Sequence, residues 1–225
     1  MTTATRAAAL AILGGNPDGG SAFSVAVLAD DTVTSLTAPT TARVDLAELT
    51  RRALAERGLS ASDVTEIRVD RGPGSYIGLR VAVTFARCLA AFSGCRLLAA
   101  DSLAAAACAA LRADAGLLGR RVCVLLDGRR GRSQFAAFQI APDGRIGLQS
   151  EPALLDDAAA ALSILPGDTV FADAALALRW QQERNLALMP IPVVDAATLF
   201  DPRLPLAPAS LLELEPRYLA GSYVG

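Results

Sequence analysis

The segment Asp70-Arg71-Gly72-Pro73-Gly74-Ser75-Tyr76-Ile77-Gly78-Leu79-Arg80 joins a short apolar–polar strand to a long apolar run. Glycines and a proline in a strand-to-helix turn leave amide N–H groups at a helix start, the geometry of an anion cradle. Gly74 and Ser75 would carry such a site. The same residues also make an ordinary sharp turn, in which Ser75 caps the helix while Gly72 and Gly74 allow the bend. No lysine follows the last glycine, so the loop is not a Walker A loop, and its glycine spacing is not G-x-G-x-x-G. A second candidate for anion binding is the arginine cluster Arg129, Arg130 and Arg132. Exposed hairpin arginines are either simply solvated or meet a phosphate or RNA. Asp127, at the end of a strand, either binds a metal-nucleotide or caps the turn over 128–131.

The rest of the composition narrows the chemistry. Histidine is absent, which removes His metal ligands, Ser-His-Asp triads and His general bases. Cys88, Cys95, Cys108 and Cys123 form no C-x-x-C pair and are expected as free, buried thiols. All 21 basic residues are arginine, and the net charge of −2 gives no global attraction to nucleic acid, so any such contact must be local. The N-terminal apolar run is too short for a signal peptide, and no segment reaches membrane-spanning length without charge or glycine. A cytoplasmic protein is expected.

The elements that must position these residues follow from hydrophobic period and turn chemistry. Strands are expected over 8–13, 22–28 and 32–37, then a helix over 44–57, a strand over 66–70, a long helix over 75–92, a strand over 96–100 and an alanine-rich helix over 102–112. The order then repeats: strands 121–126, 133–140 and 145–149, a helix near 155–162, a strand 169–172, a helix 174–184 and a last strand near 191–194. A proline-rich tail with a short helix over 209–214 follows. Two successive β-β-β-α-β-α units point to a duplicated α/β fold of the actin-like (ASKHA, ribonuclease H-like) class. Its two subdomains are expected at 1–113, carrying the partner-binding helix, and 114–225.

The helix behind the glycine turn has only Arg80, Thr84 and Arg87 as polar side chains between residues 77 and 92, on one narrow stripe. A helix so apolar is normally buried on several sides, which calls for a second surface against it. A partner interface containing Tyr76, Arg80, Val83, Thr84 and Arg87 is one solution, and complete burial within this chain is the other.

Residues 71–80, Arg-Gly-Pro-Gly-Ser-Tyr-Ile-Gly-Leu-Arg, resemble the G-P-G-S-F-T-G-L-R segment of the bacterial TsaB (YeaZ) family, which is related to TsaD. Asp127-Gly128-Arg129-Arg130-Gly131 resembles that family's D-A-R-R-G segment, Asp101-Ser102-Leu103 its serine-leucine helix start, and Pro216-Arg217-Tyr218-Leu219 its terminal P-x-Y-L. The resemblance implies an actin-like fold and a non-catalytic role in making N6-threonylcarbamoyladenosine at position 37 of tRNA. It implies a TsaD-like paralogous partner bound through N-terminal helices and a TsaE-like ATPase. ATP and a divalent metal are implied for those partner subunits, with no cofactor, catalytic residue or metal ligand in this chain. TsaD's metal-binding histidines have no counterpart here. The family's first strand ends in I-D-T-S where this chain has Leu13-Gly14-Gly15-Asn16, and the segment at 40–45 also departs from its pattern.

The expected function is therefore a scaffolding and activating subunit of a TsaD-type transferase, contacting tRNA through the complex and able to form a homodimer when isolated. An actin-like ATPase or small-molecule kinase is the alternative, with Asp127 as its only well-placed acid. A peptidase, suggested by the family's older naming, finds no triad, metal motif or placed Cys nucleophile.

Overall fold

The computed structural model describes residues 7–18, 23–38, 45–186 and 188–219; residues 40–44 of the departing segment at 40–45 lie outside them. The first half runs β1 (Ala8–Leu13), β2 (Phe23–Ala29), β3 (Thr32–Ala38), α1 (Leu46–Ala55), β4 (Val64–Asp70), α2 (Tyr76–Ser93), β5 (Arg96–Ala100) and α3 (Ser102–Ala113). The second runs β6 (Arg121–Asp127), β7 (Arg132–Ile140), β8 (Ile146–Asp156), α4 (Asp157–Leu162), β9 (Thr169–Ala172), α5 (Ala174–Arg184), β10 (Met189–Pro190) and a 3-10 segment, Ala196–Phe200.

The two sheets have the same order, β3-β2-β1-β4-β5 and β8-β7-β6-β9-β10. In both, the first three strands form an antiparallel meander and the remaining pairs are parallel. Parallel neighbours need a crossover, and α2 and α5 supply the ones that follow β4 and β9. The duplicated actin-like α/β architecture read from the element order is what the chain adopts, with each unit extended by one more strand and helical segment.

Side-chain alternation along the strands divides the core. Ala11 and Leu13 of β1 and Val122, Val124 and Leu126 of β6 face a shared central layer that contains α3 and the 196–200 segment. Leu10 and Ile12 face α1 and α2 on the outer side of the first sheet, whereas Cys123 and Leu125 face α4 and α5 outside the second. Residues 102–111 of α3 are all buried, because both sheets press on the helix. A helix covered on all sides must be apolar all round, and alanine lets two sheets approach it closely. The alanine excess thus has a packing role here.

The C-terminal region departs from expectation. The last strand is Met189–Pro190 rather than 191–194, and Pro192 removes a donor just beyond it. The tail forms a further strand, β11 (Leu206–Pro208), antiparallel to β5 at the edge of the first sheet. An edge position tolerates Pro208, which has no N–H to offer a ladder. The helix expected over 209–214 is only a turn, closed by Leu214 N–H donating to Ser210 O (3.0 Å) and followed by Pro216.

Candidate functional site

β4 delivers Asp70 to the point where the glycine turn begins. The carboxylate is fully buried. It accepts hydrogen bonds from Gly14 N (2.8 Å), Gly15 N (2.8 Å) and Ser102 Oγ (2.9 Å). Asp70 therefore ties together the loop after β1, the end of β4 and the start of α3. Burial pushes its carboxyl up to about 6, against the three donors, which pull it down. Because the folded chain holds this proton more tightly than the unfolded chain, the group's stabilising contribution is complete below pH 4 and is lost as pH rises through about 6. A pH series of thermal melts should show that loss, roughly 3 kcal/mol from the displacement of the carboxyl. In Asp70→Asn the slope between pH 4 and 6 should flatten, on a lower overall stability.

The turn itself is closed by backbone contacts. Ser75 N–H donates to Gly15 O (2.9 Å), and the Ser75 side chain accepts from Gly78 N–H (3.2 Å), capping α2. Gly14 and Gly78 touch backbone to backbone: a Cβ on Gly78 would lie 2.1 Å from Gly14 O. Gly74, one of the two residues expected at an anion cradle, has Gly15 O at 2.3 Å from where a Cβ would stand. The chain's own Gly14-Gly15 loop sits against the helix start. Across the turn, Ser102 N–H donates to Gly72 O (2.9 Å) and Arg217 N–H donates to Arg71 O (2.5 Å).

This frame sets the orientation of α2. Gly78, Leu79, Ala82, Val83, Ala86 and Ala90 are buried against the first sheet. The opposite face presents Ile77, Val81, Thr84, Cys88 and Phe92 to solvent, with Ile77 73% and Phe92 93% exposed. Tyr76 and Arg80 are exposed at its N-terminal end, and Arg87 is half-buried at its edge. Among the described residues neither Arg80 nor Arg87 has an ion-pair partner; Arg80 Nη1 lies 3.5 Å from Tyr76 Oη. The Tyr76 ring packs on Tyr218 of the tail, with centroids 4.8 Å apart.

Val83, expected at the partner contact, needs correction: it is 1% exposed and belongs to the core. At 100° per residue it shares the face of Leu79, Ala82, Ala86 and Ala90, opposite Val81. By length and composition α2 is also a helix that could cross a membrane, a test that a sheet-docked helix passes equally. The cysteines divide as well. Cys108 and Cys123 are buried and pushed up to about 12 by burial, whereas Cys88 is exposed on α2 and Cys95 is half-buried.

The second half repeats the tether. Asp173, just past β9, accepts from Asp127 N–H (2.5 Å) and from Leu176 N–H (2.9 Å). Asp127 accepts from Arg129 N–H (3.0 Å), so it caps the turn, and it is ion-paired with Arg179. Arg179 also bridges to the buried Asp157 (3.0 Å). Arg129 and Arg130 lie exposed at the tip of the β6–β7 hairpin, well apart in sequence from Gly74 and Ser75.

The residues do not fit the metal that the resemblance attaches to TsaD. The chain has no histidine, and among the described residues no three His, Cys, Asp or Glu side chains converge to hold an ion. What sequence reading missed are the tether by Asp70, the ion pair of Arg179 and the docking of the tail on the turn. An aspartate ending a parallel strand beside a Gly-Gly loop was the available signal for the first. Arg217 spans Asp101 (3.2 Å) and Glu151 (3.1 Å), and no spacing rule relates those positions.

Two solved structures share the fold. YeaZ from Pseudomonas aeruginosa is 24% identical, with a TM-score of 0.69 over 86% of this chain and 88% of its own. The crystal structure of an uncharacterized protein with similarity to peptidase YEAZ from Pseudomonas aeruginosa is 23% identical, with a TM-score of 0.74 over 95% of this chain and 99% of its own. No curated protein matches the chain. The family model described as TsaD, tRNA N6-adenosine threonylcarbamoyltransferase, matches residues 38–158. That span is more than half of the 225 residues. It establishes that the chain belongs to the TsaD (tRNA N6-adenosine threonylcarbamoyltransferase) family.

Proposed function

We propose that this chain is the non-catalytic, TsaB (YeaZ)-type subunit of a tRNA N6-threonylcarbamoyladenosine synthesis complex in the cytoplasm. It binds a TsaD-type paralogue through the outer face of α2 and holds that transferase in its active conformation. The observation that carries this reading is the apolar face of α2, with Ile77 and Phe92 almost bare to solvent on a helix otherwise rigidly docked. Contiguous apolar surface of this kind marks an interaction site. Thr84 lies within it, and Tyr76, Arg80 and Arg87 border it and give it polar register. A TsaE-like ATPase joins the assembly, ATP and a divalent metal reside with the partner subunits, and tRNA is met through the complex. In isolation two copies pair through the same face.

The alternative, an actin-like ATPase or small-molecule kinase, would need Asp127 for a metal-nucleotide. That carboxylate is engaged by Arg179 and by the hairpin it caps. Co-expression with a TsaD-type paralogue is the test. A complex that co-elutes through size exclusion is expected, with no ATP binding by this chain alone at millimolar nucleotide. Separate elution of the two chains, or tight Mg-dependent ATP binding by this one, would overturn the proposal.

A further inference from the structure

The β6–β7 hairpin is built in a way that its fold does not require. Arg132 N–H donates to Arg129 O (3.2 Å) and Gly128 N–H to Arg132 O (2.9 Å), closing a tight turn. Arg130 and Gly131, its two central residues, have φ of 54° and 71°, and Arg129 before them has 61°. Left-handed backbone at both central positions is the geometry for which Asn-Gly is relaxed and a long side chain is not. Arg130 at the first central position and Arg129 before it both hold left-handed backbone and are strained, and strain of this kind gathers where a side chain has work outside the fold.

Their charge is also left unspent. Among the described residues neither guanidinium has an ion-pair partner. Two of the acids nearby are committed: Asp127 and Asp157 both pair with Arg179. Asp156 stands opposite Arg132 across the β7–β8 ladder, beside Asp157, whose N–H donates to Gly131 O (2.9 Å). Asp127 further accepts from Arg129 N–H (3.0 Å), which fixes the loop before any ligand arrives. On a chain of net charge −2, this is a local pair of cations with no ion-pair partner among the described residues. An exposed tip has no walls with which to enclose a small anion. It can lie along a chain of phosphates.

We propose that Arg129 and Arg130 form a phosphate-backbone contact for RNA, placing this subunit directly on the tRNA. This rests on the function proposed above for the identity of the RNA. The contact is electrostatic and independent of base sequence.

The test uses the double variant Arg129→Gly with Arg130→Asn, which relaxes the turn while removing both charges. Binding of a labelled unmodified tRNA transcript is measured from low to high salt, with the reconstituted complex and with the full chain alone. Affinity at low salt should fall roughly tenfold, and the slope of log K against log salt should become shallower by about 2. The melting temperature should rise. Arg145→Ala, at another exposed arginine, should leave the salt slope unaltered. If the double variant melts higher but keeps wild-type affinity and slope, the arginines are merely solvated and the proposal is wrong. Should that variant fold poorly, Arg129→Gln with Arg130→Gln carries the same expectation for affinity and slope, and the same result overturns it. Failure of the wild-type chain to form a complex would instead strike the proposed function, and the titration of the chain alone would still decide the RNA contact.

Discussion

Val81→Glu is expected to abolish association with a TsaD-type partner, weakening it roughly a hundredfold or more, while leaving the monomer's melting temperature within a degree or two. Val81 lies between Ile77 and Thr84 on the outer face of α2 and is 40% exposed in the free chain, so a carboxylate there meets water until a partner covers it. Once covered, it becomes a buried charge with no counter-ion. Val83→Glu, two residues on, should do the opposite. Its side chain is 1% exposed and packs in the core between α2 and the first sheet, so the charge would unfold the monomer. Sedimentation of each variant with the partner, beside a melt of each alone, separates the two outcomes. Equal loss of stability in both would mean that α2 has no free face.

Gly78→Ala should destabilise the chain by about 2–4 kcal/mol, lowering its melting temperature by roughly 5–15 °C. Helix propensity alone gives the other sign, a gain of up to about 1 kcal/mol for alanine over glycine. The clash decides the sum. An added Cβ would lie 2.1 Å from Gly14 O, a backbone atom that cannot rotate away. Either α2 lifts from the β1 loop, losing the bond from Ser75 N–H to Gly15 O, or that loop moves and strips Asp70 of two amide donors. Since the same contact aims α2, partner affinity should fall as well. A melt that stays at or above the wild-type temperature would show that the turn yields more easily than its close packing implies.

Much of the fold was legible in the sequence because apolar period and turn residues act locally. β1, β5, β9 and α5 fall where alternation and glycine stops put them, and the paired β-β-β-α-β-α order carries the duplication. Elements with weak or conflicting local signals were less legible. The tail is proline-rich, yet β11 forms because the exposed edge of β5 offers it a ladder, which is information held in a distant part of the chain, with Leu206 opposite Ala100. In α2 the near absence of polar side chains announced a helix with two apolar faces without saying which face was which. Val83 and Val81 are the same residue type, and only the sheet behind them distinguishes the two. From its own residues the glycine turn left both a cradle and a hinge open. Its character depends on Gly15, Ser102 and Arg217, drawn from three distant segments.

The central claim is that this chain activates a transferase without being one. The most direct test is threonylcarbamoyl transfer to a tRNA transcript, measured with the TsaD-type paralogue and the TsaE-like ATPase, with and without this chain. Transfer should require its addition, rise to a plateau at one equivalent, and be lost with Val81→Glu. This chain without the paralogue should give no product. Undiminished transfer in its absence, or product formed by this chain alone, would contradict the claim.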